Sequence, residues 1–506
     1  MSTSDPAPLS FDGDSDRPGW HFRPPSGWMN EPHGVLHHRA RHHIFYQRNS
    51  KGPYWADISW GHAVSDNLID WTDLGSALSP GDIPYSPDGV WSGSSAIDEN
   101  DHPVLFFTAG DGGDHPNQRV AVARAIDPED PKLSQWMAGP SPVVTFQDAA
   151  HVLSGQGVEL VPGEFRDPFA WHENGLWHVI VGAGIRDAGG TALLFTAPLV
   201  DGPWTFRRPL LTGDYARRPD TGVMWELPSL VPLGAGPDGR PRHIFLATPW
   251  WPGDCEHSLQ YQWYWIGVWD PATLTFTPEH DEPRTLDVGG YLTGGTPSRT
   301  PDGRILVWSI TQDLLDSAEH RRRGWAGSAG VPLHLSLGPD NALRIAPAAE
   351  VKALRQEPLR IDNSVSSTRF DHGPMWDLEL DLDLPVGSEC SISLRQPAGG
   401  RPATMLKVVR SGKETVRVEV AGPVARGIRR ATADHPAGSP LPVRVLADHS
   451  MVEAFVGEAL SITTRAWTTL SEVCRIDVDA GAAILHGQVW PMRRARMTGN
   501  PREPQP

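Results

Sequence analysis

The chain has 506 residues, and its 51 Gly and 49 Pro make up about a fifth of them, which excludes helix bundles and helical solenoids, whose interiors reject both residues. Three cysteines, Cys255, Cys390 and Cys474, are too few for a disulfide framework and too far apart for a sequence-local zinc site. Lys and Arg number 44 against 61 Asp and Glu, and the net charge of −17 disfavours nucleic acid and anionic membranes and favours a neutral partner.

Residues 1–19 are polar and Pro-rich and are expected to form a disordered tail. Asp12, Asp14 and Asp16 alternate as in a calcium loop, but Arg17 and Arg23 stand where such a loop needs Gly and Glu, so no metal is assigned. Met1–Pro6 lacks the basic and apolar regions of a secretion signal, and no run of about 18 apolar residues follows, which predicts a cytoplasmic protein.

From 20 to 335 one texture repeats: short β-prone runs set between turn clusters. His42–Tyr46, Pro103–Phe107, Leu176–Val181, Arg242–Leu246 and Arg304–Trp308 recur at roughly 60 to 70 residues, room for four strands per unit, and predict a five-bladed β-propeller. His37, His38, His42 and His43 flank Arg39-Ala40-Arg41, which reads as a hairpin turn hostile to a divalent cation. Arg321-Arg322-Arg323 reads as a solvated loop. Residues 336–365 are a linker with helical propensity near Ala348–Gln356. Over 366–492 period-two alternation predicts an antiparallel β-sandwich, with Asp377, Glu379, Asp381 and Asp383 on a solvated strand face. A second disordered tail, 493–506, is expected to close the chain. The architecture is therefore all-β.

Hydrolysis of a glycosidic bond needs two carboxyl groups flanking the bond. Three acids stand out, each next to a Pro or one residue from it, near aromatic residues and where a strand would start or end: Glu31 in Trp28-Met29-Asn30-Glu31-Pro32-His33-Gly34, Asp167 in Phe165-Arg166-Asp167-Pro168-Phe169, and Glu226 in Met224-Trp225-Glu226-Leu227-Pro228. Roughly two blades separate the first pair and one blade the second, so innermost strands can bring all three to the propeller axis; turn or ion-pair roles are the alternative. The 21 Trp, against 7 Tyr and 14 Phe, can stack on sugar rings but also fill cores and mark strands, so their location has to decide.

These segments resemble glycoside hydrolase family 32, the invertase, levanase and inulinase group. Further matches are Phe45-Tyr46-Gln47, Trp60-Gly61-His62-Ala63, Trp91-Ser92-Gly93-Ser94, Gly324-Trp325-Ala326-Gly327 and Asp448-His449-Ser450 leading to Val452-Glu453-Ala454-Phe455. The resemblance implies a retaining fructosidase: Glu31 as nucleophile, Glu226 as general acid and base, Asp167 as stabiliser with Arg166 beside it. It further implies that Asn30, Gln47 and Ser92 contact the sugar and that Trp55, Trp91 and Trp308 wall the pocket, while His33 lies close enough to Glu31 in the chain to be expected to touch the sugar too. No cofactor is implied, and a small neutral saccharide is the expected ligand. Glu226 then needs a carboxyl protonated near neutrality, for which Trp225 and Leu227 are the expected apolar wall.

Departures from the family are as informative. Glu31 stands where Asp is usual, His33 where Asn is usual, and Leu227 where Cys is usual; Asp287–Leu292 only loosely follows an aromatic segment expected at the leaving-group side. A fructosyltransferase or a non-catalytic carbohydrate-binding protein are the other readings. The sandwich, with Glu453 in a structural network, is expected to brace the propeller or an oligomer interface.

Overall fold

A computed structural model describes residues 14–110, 118–253, 261–361, 366–394, 404–421, 429–467 and 473–499. Five sheets, each built on antiparallel strands, form the propeller, and each has an innermost strand: Gly27–His38, Gly89–Ile97, Leu160–Glu173, Met224–Ala235 and Leu292–Arg299 for blades 1 to 5. Each of these touches the next around the axis, and the fifth touches the first, closing the ring.

The five apolar runs are the second strands of the five blades, Arg41–Asn49, Pro103–Gly110, Leu176–Ile185, Pro241–Trp250 and Ile305–Thr311. Their continuous apolarity has a simple cause. A blade is covered on both faces, and side chains alternate between faces, so every position meets a neighbour. In blade 1, Phe45 packs with Trp60, Leu105 and Phe107 toward blade 2, whereas Ile44 and Tyr46 pack with Leu306, Trp308 and Ile310 toward blade 5. Separate clusters fill the other blade interfaces, and Trp177, Trp225, Trp263, Trp265 and Trp269 lie within them. Each buried aromatic side chain contributes about 1.5–3 kcal/mol, so most of the Trp surplus serves blade packing.

Two six-stranded sheets form the sandwich around one apolar core. Its boundary differs from the expected linker: Leu343–Pro347 is the outer strand of blade 5, Ala349–Leu354 is a 3-10 helix, and Leu359–Arg360 already pairs within a sandwich sheet. The connection is thus about ten residues.

Both expected tails require correction where they are described. Asp14 and Asp16 meet the Arg323 guanidinium at 3.3 and 2.9 Å, and Asp448 accepts the backbone N–H groups of Gly19, Trp20 and His21. At the other end, Met497–Thr498 adds a parallel strand to the outer edge of blade 1, and Arg493 pairs with Asp70 at 3.1 Å. Residues 1–13 and 500–506 lie outside the described residues. Arg323 is not in a solvated loop; it ends a short helix, Ser317–Arg323, and is buried. Nor is Asp377 solvated, since it is fully buried between Arg355 and Arg444.

The hairpin at Arg39-Ala40 matches its reading: His37 pairs with His42 and His38 with Arg41, and the two turn residues have φ of 48° and 60°, the left-handed pair that a two-residue turn requires.

The sandwich braces the propeller through polar contacts as well as apolar ones. His21 sits between Asp448 Oδ2 at 2.8 Å and Glu453 Oε2 at 2.9 Å, while Glu453 also accepts the Val331 N–H. Burial alone would lower the His21 pKa, but the two carboxylates outweigh it and push it up to about 9. Arg465 donates to Thr311 O and to the hydroxyls of Ser328 and Ser450.

Candidate active site

Every innermost strand carries an irregularity in its register at the same depth: at Met29 to Gly34, Trp91 to Gly93, Arg166 to Phe169, Glu226 to Ser229 and Thr293 to Thr296. Such bulges re-aim side chains. Pro32, Pro168 and Pro228 fit there because a bulge releases a ladder N–H that proline lacks. Asp167 and Leu227 adopt φ of 63° and 47°, a costly region for residues other than Gly.

These bulges deliver Glu31 from blade 1, Asp167 from blade 3 and Glu226 from blade 4 to one place. Asn30, Glu31, Glu226, Leu227, Thr248, Trp250, Thr293 and Gln312 are among the residues lining a cavity of about 310 Å³. Asp167 lies just behind it, its Oδ2 accepting the Leu227 N–H at 3.1 Å and its own N–H bound to Thr108 Oγ1 at 2.8 Å.

A hydrogen-bond chain fixes Glu31: Gln47 Nε2 donates to Ser92 Oγ, and Ser92 Oγ donates to Glu31 Oε1. Glu31 is 6% exposed. Burial pushes its carboxyl up to about 7, the Ser92 hydrogen bond and Arg166 pull the other way, and the charge of Glu226 adds to the rise. Asp167 is also raised, first by burial and then by the charges of Glu226 and Glu31, against Arg166.

Arg166 is the single cation in contact with these groups among the described residues. Its Nε and Nη2 reach Glu226 Oε1 at 3.1 and 2.9 Å, its Nη1 meets Glu164, and its Cζ lies 5.1 Å from the centre of the Trp250 ring. Burial lowers its pKa, yet Glu226, Glu164 and Asp167 together hold it above its ordinary value. The setting expected for Glu226 is therefore only half apolar. Leu227 reaches the cavity, but Trp225 is buried in the interface of blades 3 and 4 with its indole N–H on Thr221 O.

The remaining sequence candidates divide. Asn30 faces the cavity and accepts a hydrogen bond from Gln312 at 3.3 Å. Trp55, 56% exposed, pairs with half-buried Trp91 at 6.0 Å, and neither is among the residues lining the cavity. His33 does not face the cavity: it is fully buried, its ring lies 4.2 Å from Trp60, and burial pushes it down to about 3. Trp308 is 1% exposed and packs edge-on against Trp71 in the interface of blades 5 and 1. Likewise Asp287 belongs to the domain interface, accepting from Ser461 and Thr463 of the sandwich.

Sequence reasoning missed Thr248, Pro249, Trp250, Trp251, Thr293, Gly294 and Gln312. The Trp250-Trp251 pair, just beyond the fourth apolar run, was the available signal.

Carboxylates gathered in a single cleft, one of them gripped by a guanidinium and another by a hydroxyl, equip a propeller of this kind for glycosidic-bond hydrolysis, so the chain is a glycoside hydrolase. Residues 21–347 match the glycosyl hydrolases family 32 N-terminal domain and residues 350–491 the glycosyl hydrolases family 32 C terminal domain. The chain belongs to glycoside hydrolase family 32. It is 30% identical over 461 residues to the sucrose-6-phosphate hydrolase of Zymomonas mobilis, covering 87% of this chain and 84% of that one. Over 363 residues it is 31% identical to a cell wall β-fructofuranosidase of Zea mays, covering 68% and 58%. Fructan 1-exohydrolase IIa of Cichorium intybus shares the fold, with a TM-score of 0.82 at 23% identity over 96% of this chain and 99% of that chain. The sucrose-6-phosphate hydrolase of Lactobacillus gasseri shares it as well, with a TM-score of 0.78 at 20% identity over 96% and 94%.

Proposed function

We propose that this enzyme releases fructose from β-fructofuranosides such as sucrose, fructo-oligosaccharides or small fructan fragments by double displacement. Glu31, ionised, attacks the anomeric C2 of the fructosyl unit. Glu226 gives its proton to the departing oxygen, then takes one from the water that releases fructose from Glu31. Asp167 stays outside the covalent steps and holds sugar hydroxyls, while Arg166 orients Glu226. Ser92 and Gln47 act through Glu31, steadying the oxygen that does not attack.

The observation that carries this reading is the meeting of Glu31 from blade 1 and Glu226 from blade 4 in one cavity of about 310 Å³, inside the range of sites that enclose a small ligand, with Asp167 from blade 3 bound to the Leu227 N–H beside them. Relatives named sucrose-6-phosphate hydrolase and β-fructofuranosidase support the substrate class. Glu226→Gln tests it on sucrose, kestose, inulin and levan oligomers. The expected result is a loss of fructose release of about a hundredfold or more on every substrate, in line with the worth of a positioned acid and base. Unchanged release would show that Glu226 is not that group.

A further inference from the structure

We propose that Gly294 is a positioning residue for Glu31: the Cβ it lacks is the space into which the Glu31 side chain packs, and that contact decides where the carboxylate stands. The inference rests on the reading of Glu31 as the attacking group.

Gly294 lies at the bulge of the blade 5 innermost strand, next to blade 1, with φ of +63°. A Cβ added there would fall 2.8 Å from Glu31 Cβ, 3.2 Å from Glu31 Cγ and 3.3 Å from Leu227 Cδ1. The first of these is a collision rather than a contact. Gly294 has nowhere to retreat. Its N–H donates to Thr248 Oγ1 at 3.2 Å, the Gly295 N–H donates to Gln262 Oε1 at 2.7 Å, and Thr248 Oγ1 donates to the same oxygen at 3.0 Å. Gln262 is itself fully buried. The blade 5 backbone is therefore pinned, and an added methyl would push the root of Glu31.

At its other end Glu31 is held by Ser92. A glutamate has one more rotatable bond than an aspartate, so a reacting carboxylate on this longer arm needs restraint at root and tip, and a misplacement of about 1 Å costs about a hundredfold in rate. Gly294 supplies the first restraint and Ser92 the second.

The test is a double-mutant cycle of Gly294→Ala and Glu31→Asp, with kcat and KM measured on one fructoside. Gly303→Ala serves as a control for backbone strain alone, because Gly303 also has positive φ, at +87°, but nothing within 4 Å of an added Cβ. The control is expected to keep its kcat. Gly294→Ala is expected to lose about a hundredfold in kcat with KM little changed. Because the displaced root and the shortened arm act on the same atom, the double variant is expected to lose no more than the worse single variant. Losses that multiply, or a Gly294→Ala kcat equal to that of the control, would overturn the proposal. Gly294→Asn, which tolerates a left-handed backbone while adding a Cβ, gives the same reading if the Ala variant does not fold; an unchanged kcat there would also overturn it. Full activity in Glu31→Gln would instead overturn the reading of Glu31 itself, so the two failures are separable.

Discussion

Arg166 and Glu226 come from innermost strands of adjacent blades, and two guanidinium nitrogens converge on one carboxylate oxygen at 2.9 and 3.1 Å. Under the proposed roles, that pairing makes Arg166 a positioning residue for the acid and base rather than a bystander to Asp167. Arg166→Lys keeps the charge but loses the planar fork, and Arg166→Gln loses both. Steady-state kinetics are expected to show kcat falling by about ten- to a hundredfold for Lys and by about a hundred- to a thousandfold for Gln. Equal losses would mean that the planar fork alone matters, and an undiminished kcat for Lys would mean that charge alone does.

Glu31 links activity and stability to pH with opposite signs. As an attacking group it must be ionised, and with its pKa at about 7 the acid limb of kcat/KM is expected near that value. Ser92 lowers the Glu31 pKa, so Ser92→Ala should move that limb to higher pH. For stability, the folded value is raised above the ordinary 4.5, so the cost of a buried charge is fully present above about pH 7 and is relieved as pH falls toward 4.5, because the native state takes the proton first. Glu31→Gln is therefore expected to melt at higher temperature than the parent at pH 8, with a gain of up to about 3 kcal/mol that shrinks by pH 5. A lower Tm at pH 8 would contradict the account.

His21 behaves in the reverse sense. Its folded pKa is raised to about 9, so its contribution is fully present below about 6.5 and disappears as pH rises through 9. Replacing it with Gln strands the buried carboxylates of Asp448 and Glu453 and is expected to cost about 3–5 kcal/mol near neutrality. Thermal melts of the parent and His21→Gln should differ most at pH 6 to 7 and approach each other by pH 10.

Two tryptophans that the sequence treats alike should separate cleanly. Trp308→Ala removes a ring from the interface of blades 5 and 1 and is expected to cost about 3–5 kcal/mol of stability. Trp55→Ala, on the surface, should change stability by no more than about 0.5 kcal/mol. Any effect of the second is expected in KM for longer fructosides, read from kinetics on sucrose and inulin side by side.

What was legible follows from local physics. Ile44, Phe45 and Tyr46 are apolar in succession because a blade is buried on both faces, so the second strand of each blade could be read directly. Glu31, Asp167 and Glu226 were conspicuous because each lies within two residues of a proline in an otherwise regular strand, the mark of a bulge. Orientation within the bulge was not legible: one extra residue reverses which side chain faces the axis, so Asn30 reaches the cavity while His33 turns under Trp60. The ends of the chain were misread for another reason. Asp14 and Arg493 look like tail residues until Arg323 and Asp70, hundreds of positions away, are seen beside them.

The most direct measurement of the central claim follows the anomer of newly released fructose by NMR before mutarotation. Double displacement through Glu31 and Glu226 predicts β-fructofuranose as the first product from a β-fructofuranoside. The α anomer appearing first would contradict it.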